Sequence, residues 1–126
     1  MKYNTGAFVE LIKRYEAMTI ERITETGYEA PESDDKLGYF TAFDALMQCT
    51  QDNIGGVWRC ILCEEAGALS QDRTCKCCLY YKVHAKSSPC LNSQYFAMRG
   101  SNSPEMLYSY IQERIVAMKE ILKKYG

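Results

Sequence analysis

Histidine is almost missing from this chain, with His84 alone among 126 residues. That scarcity excludes a nuclease built on a zinc-held ββα unit, whose metal needs imidazole ligands. His84 itself sits in a Lys-Val-His-Ala-Lys setting and reads as a surface residue rather than a ligand. Long apolar runs are also missing, so no segment approaches the length that spans a bilayer. The opening Met1-Lys-Tyr-Asn-Thr-Gly lacks the apolar core of a secretory leader. Seven cysteines, two of them adjacent, fit a secreted disulfide framework poorly. These absences predict a reducing, cytoplasmic setting, where clustered cysteines more often mean metal than disulfide. There is no internal repeat, no low-complexity stretch, and no βαβ pattern of the kind that surrounds a redox Cys-x-x-Cys.

What is present is a concentration of thiols. Six of the seven cysteines fall between Cys60 and Cys90: Cys60-Ile-Leu-Cys63, then Cys75-Lys-Cys77-Cys78, then Cys90. Two Cys-x2-Cys pairs can present four thiolates at the corners of a tetrahedron, the usual cage of structural zinc. The expected ligands are Cys60, Cys63, Cys75 and Cys78. Cys77 competes by adjacency, and Cys90 could replace Cys75 or Cys78. Cys49 stands apart and reads as a half-buried thiol. Trp58, the single tryptophan, lies two residues before Cys60 and reads as a core ring.

The flanking segments read as helix, which makes the expected fold mainly α. The expectation is one domain over 1–126: a helical scaffold over 5–51 and 104–124, with a zinc-stapled irregular segment over 57–100. A first helix is predicted over 5–26, starting at Asn4 or Thr5, with Phe8, Leu11, Ile12, Tyr15, Met18 and Ile23 as its apolar face. A second is predicted over 37–51, with Phe43, Leu46 and Met47 inward. Between the cysteine pairs, Glu64-Glu65-Ala66-Gly67 reads as a turn or a single helical winding. The last helix, 104–124, carries the fullest signals. Ser103 is an N-cap, Pro104 suits the first helical position, and Glu105 favours the positive end of the dipole. Leu107, Ile111, Ile115, Met118, Leu122 and Tyr125 recur at steps of three and four, and packing against the first helix is expected.

Charge is unevenly spread although the net is −1. Residues 1–56 are acidic overall. The cysteine segment instead holds Arg59, Arg73, Lys76, Lys82, Lys86 and Arg99 against Glu64, Glu65 and Asp72. Tyrosines are interleaved there. Arg73, Lys76, Tyr80, Tyr81, Lys82, Lys86 and Arg99 are therefore the expected partner-binding residues, suited to an acidic protein face. The alternative partner is nucleic acid, with cations on phosphates and Tyr80, Tyr81 or Phe96 stacked on bases. The sequence pI of about 5.9 favours the protein partner. No residues form a catalytic constellation. Glu64 beside Cys63 is the single candidate base, and an all-cysteine zinc site is usually closed.

Trp58-x-Cys60-x-Leu62-Cys63, then Cys75-x2-Cys78-Leu79, then Cys90 and Tyr95-Phe96 before a terminal helix, resembles small cysteine-cluster proteins of tailed phages and prophages. The likeness spans about residues 58 to 122. Cys78-Leu79 lacks the proline of the usual Cys-Pro-Leu, and Cys77 is extra. The resemblance implies a phage accessory role, such as a non-catalytic inhibitor of a host or defence protein.

Overall fold

The computed structural model describes residues 2–25, 46, 61–70, 75–84, 90 and 92–126. Among these residues the chain is mainly helical and has no strand. The helices are α1 (Thr5–Glu16), α2 (Ile20–Glu25), α3 (Ile61–Leu69), α4 (Leu79–Val83), α5 (Ser93–Arg99) and α6 (Pro104–Tyr125). A 3-10 turn covers Cys75–Cys77. Among the described residues, no helix is long and apolar enough to cross a membrane.

α6 forms as its sequence signals require. The Ser103 hydroxyl accepts the Met106 amide at 3.1 Å, and Pro104 occupies the first turn. Its 22 residues make a rod of about 33 Å at about 1.5 Å per residue. Leu107, Ile111, Ile115 and Met118 line one buried stripe, and α1, α2, α4 and α5 all pack against this helix. Burying each such side chain contributes roughly 1.5–3 kcal/mol. Arg114 lies on the same helix and is also buried.

The predicted first helix is broken in two. Phe8, Leu11, Ile12 and Tyr15 are buried on α1, and Ile23 is buried on α2. Between them the Met18 amide bonds Tyr15 O at 3.0 Å, which tightens the last turn. Thr19 then caps α2: its hydroxyl accepts the Arg22 amide at 3.1 Å. The break keeps Met18 in the core at 2% exposure. A cap at Thr19 thus overrides an apolar stripe that reads as continuous.

Leu46 is helical and fully buried. The rest of the predicted 37–51 helix lies outside the described residues, as do Cys49, Trp58 and Cys60. The cysteine segment also differs from expectation where it is described. It is not irregular but a chain of short helices. Glu64-Glu65-Ala66-Gly67 is neither a turn nor a single winding; it continues the nine-residue α3, with Leu62 and Ala66 facing the core. Asn92 caps α5 by accepting the Tyr95 amide at 3.2 Å.

Candidate functional site

The second cysteine group is shaped by its backbone. The Cys78 amide bonds Cys75 O at 2.9 Å and closes the 3-10 turn. Cys78 is then extended, at φ −90° and ψ 136°, and stands at the N-cap of α4. Its carbonyl accepts the amides of Tyr81 and Lys82 at 3.0 and 3.2 Å. Cys77 and Cys78 are buried, whereas Cys75 is half-buried.

The Cys78 sulfur accepts a hydrogen bond from a buried side-chain amide. The Asn4 carboxamide donates to it at 3.2 Å, and backbone N–H groups of Tyr80 and Tyr81 add to the same effect. Burial is the largest influence and pushes the thiol pKa up; the three hydrogen bonds pull it down, and the nearby Cys90 raises it again. N–H donors favour the sulfur anion, since a neutral thiol is a weak acceptor. A bound cation would tip this balance to the thiolate, because a coordinating thiol is deprotonated outright.

Asn4 is the centre of the arrangement. It takes the N-cap position of α1, as the sequence suggests, yet its side chain makes no bond to that helix. Instead its Oδ1 accepts the Leu79 amide at 2.9 Å and so caps α4 from 75 residues away. Its Nδ2 donates to Leu62 O at 2.9 Å as well as to the Cys78 sulfur, and its backbone amide donates to Cys77 O at 2.9 Å. The start of α1 receives its cap in return from α3, where the Glu65 carboxylate accepts the Ala7 amide. A Cβ on Gly6 would stand 3.3 Å from Glu65 Oε1, so a glycine there admits the carboxylate.

The other cysteines are placed as follows. Cys63 is exposed on α3, beside Leu62. Cys90 is half-buried, and both terminal nitrogens of Arg114 donate to its carbonyl, at 3.4 and 3.5 Å. Among the described residues, no three His, Cys, Asp or Glu side chains come together as a metal-holding group. Cys63, Cys75 and Cys78 of the expected set are therefore not gathered, and Cys60 lies outside the described residues. Of that set, Cys78 is the thiol whose sulfur receives the Asn4 donor.

The expected partner residues separate into surface and core. Lys76, Lys82 and Arg99 are exposed and Tyr81 is half-buried. Tyr80, expected on the surface, is only 1% exposed. Its ring packs on Phe8, with centroids 5.0 Å apart, and lies against the Arg114 guanidinium. Its pKa is pushed up, chiefly by burial, and Arg114 opposes the shift. Its hydroxyl has no hydrogen-bond partner among the described residues. Arg73 and Lys86 lie outside the described residues. His84 is exposed, and Phe96 is 55% exposed with its ring edge-on to Tyr95. A cleft of about 260 Å³ opens between α4, α5 and α6, bordered by His84, Gln94, Glu120 and Lys124 over Tyr80 and Ile121.

Sequence reasoning missed Asn4, Glu65 and Arg114. Asn4 read as an ordinary helix cap, and no local pattern shows that its amide serves a distant helix. Arg114 falls among the polar positions of α6, and its partner Cys90 is 24 residues earlier. No family model matches the chain, and no curated protein or solved structure matches it.

Proposed function

We propose that the chain is a non-catalytic, zinc-stabilised binding protein that presents a basic surface to an acidic protein partner. Zinc would be held by Cys78 together with cysteines from Cys60, Cys63 and Cys75, with Cys77 and Cys90 as alternates. Thiolate coordination would supply structural cross-linking and no chemistry of its own. The observation that carries this reading is the Cys78 sulfur, buried and met by the Asn4 carboxamide N–H at 3.2 Å. An amide donor of this kind supports a sulfur that serves as a metal ligand, although burial, the larger influence, favours the neutral thiol until a cation binds.

The binding surface follows from the placement of charge. Lys76, Lys82 and Arg99 are exposed on the segment whose ends are fastened to the core by Asn4 and Arg114. A fastened surface loses less entropy on binding than a free loop. Its positive charge, set against the acidic 1–56 region, steers an acidic partner into one orientation. The resemblance to phage accessory proteins suggests a host or defence protein as that partner. Tyr80 takes no part in this surface, because it is in the core.

Exposed Phe96 favours a second reading, in which a nucleic acid base stacks on that ring. The two are separated by capture from a nuclease-treated host lysate, using the wild-type chain and a Lys76→Glu/Lys82→Glu/Arg99→Glu variant. A protein retained by the wild type and lost by the variant supports the protein partner. Salt-sensitive binding of oligonucleotides, lost in Phe96→Ala, supports nucleic acid. Equal capture by both chains would overturn the basic surface.

A further inference from the structure

Asn4 carries residues 2 and 3 to a distant part of the chain. Its backbone amide donates to Cys77 O, and its carboxamide accepts the Leu79 amide and donates to Leu62 O, each at 2.9 Å. Asn4 is fully buried, so these bonds are shielded from competing water. Tyr3, just before it, is half-buried against the core, and the Lys82 ammonium stands 5.8 Å from the centre of its ring. A cation within about 6 Å of a ring centroid is attracted to the ring face. Lys2, Lys76 and Lys82 are exposed, and Tyr81 is half-buried. Lys2 and Tyr3 thus join the basic residues of the cysteine segment, across most of the length of the chain. The acidic side chains on the elements beside them are Glu10 of α1 and Glu64 and Glu65 of α3. Glu10 pairs with Arg14, Glu65 caps the Ala7 amide, and Glu64 is exposed. Three lysines against Glu64 leave the patch positive.

We propose that residues 2–4 and the 76–82 segment form one composite surface that docks an acidic segment of a protein, with Tyr3 and Lys82 joining its two halves. This rests on the basic-surface reading above and deepens it. The chemistry of the pair selects carboxylates. Lys82 presents an ammonium held over the Tyr3 ring, and an acidic segment can meet it together with Lys2 and Lys76. Tyr3 and Tyr81 supply what lysines lack, rigid rings of the type that anchors protein interfaces. A nucleic acid base fits less well, because stacking on that face of Tyr3 would displace Lys82. Asn4 holds the two halves together in the free chain, so little ordering remains for the moment of binding.

The test uses the full-length chain with poly-L-glutamate as the probe at low ionic strength, followed by backbone amide NMR shifts, and oligothymidylate of matched charge for comparison. Polyglutamate should shift the amides of Lys2, Tyr3, Lys76 and Lys82 together. Lys2→Glu, Lys82→Glu and Tyr3→Ala should each weaken its binding about tenfold. Lys13→Glu, exposed and roughly two turns further along α1, should keep wild-type affinity. Loss in Lys82→Glu with wild-type affinity in both Lys2→Glu and Tyr3→Ala would overturn the composite surface and leave the basic-surface reading intact. Wild-type affinity in Lys82→Glu as well would overturn both. Equal weakening in Lys13→Glu would reduce the effect to net charge and overturn the surface. Oligothymidylate bound more tightly than polyglutamate, or polyglutamate not bound at all, would overturn an acidic protein segment as the occupant. Lys2 is exposed, so Lys2→Glu decides should Tyr3→Ala disturb the fold.

Discussion

Arg114 lies over the face of Tyr80, its guanidinium carbon 5.3 Å from the ring centroid, with both side chains buried. The two residues should respond oppositely to removal of their polar groups. Tyr80→Phe deletes a buried hydroxyl that has no hydrogen-bond partner among the described residues, so stability should hold or rise by up to about 1 kcal/mol. Arg114→Met keeps the aliphatic stem but removes the donors to Cys90 O and Asn92 Oδ1. Those bonds are long, at 3.4 to 3.5 Å, so a loss of about 1–2 kcal/mol is expected. Urea denaturation midpoints of the two variants give the comparison. A Tyr80→Phe chain weakened as much as Arg114→Met would contradict it.

The caps predict two smaller losses. Thr19→Ala removes the acceptor of the Arg22 amide, and Glu65→Ala removes that of the Ala7 amide. Each should lower stability by about 1 kcal/mol. In Thr19→Ala, hydrogen exchange should accelerate along α2 and leave α6 unchanged. Equal acceleration in both helices would mean that Thr19 has a role beyond its cap.

α6 and the break after α1 show how much of the fold the sequence discloses. Ser103, Pro104 and the steps of three and four from Leu107 to Met118 are local signals, and the helix follows them. Packing of α6 on α1 also follows, since both present long apolar faces. Thr19 was equally local, but a continuous apolar stripe concealed it. α3 was concealed by its own composition, because a cysteine, a glycine and two glutamates read more readily as a turn. Asn4, Glu65 and Arg114 lie at the other extreme. Their partners are 75, 58 and 24 residues away, beyond any periodicity. The cysteine spacing pointed to the neighbourhood of the candidate site but not to the donors around Cys78.

Surface and core contacts of α1 should differ sharply in weight. Lys119 and Glu16 form an exposed ion pair at 3.1 Å, and Lys119→Ala should cost no more than about 0.5 kcal/mol. Phe8, fully buried and packed on Tyr80, should cost about 3–5 kcal/mol when cut to alanine. Thermal unfolding of both variants tests the ranking. A Lys119→Ala effect near that of Phe8→Ala would place the docking of α1 in charge rather than packing.

The central claim is that Cys78 is a zinc ligand, and zinc content tests it most directly. Wild-type chain and Cys78→Ser are purified without added metal or chelator, and zinc per chain is measured by elemental analysis alongside thermal stability. The account predicts near-stoichiometric zinc in the wild type, and its loss from Cys78→Ser together with loosening of the cysteine segment. A wild-type chain that is free of metal and fully stable would contradict it.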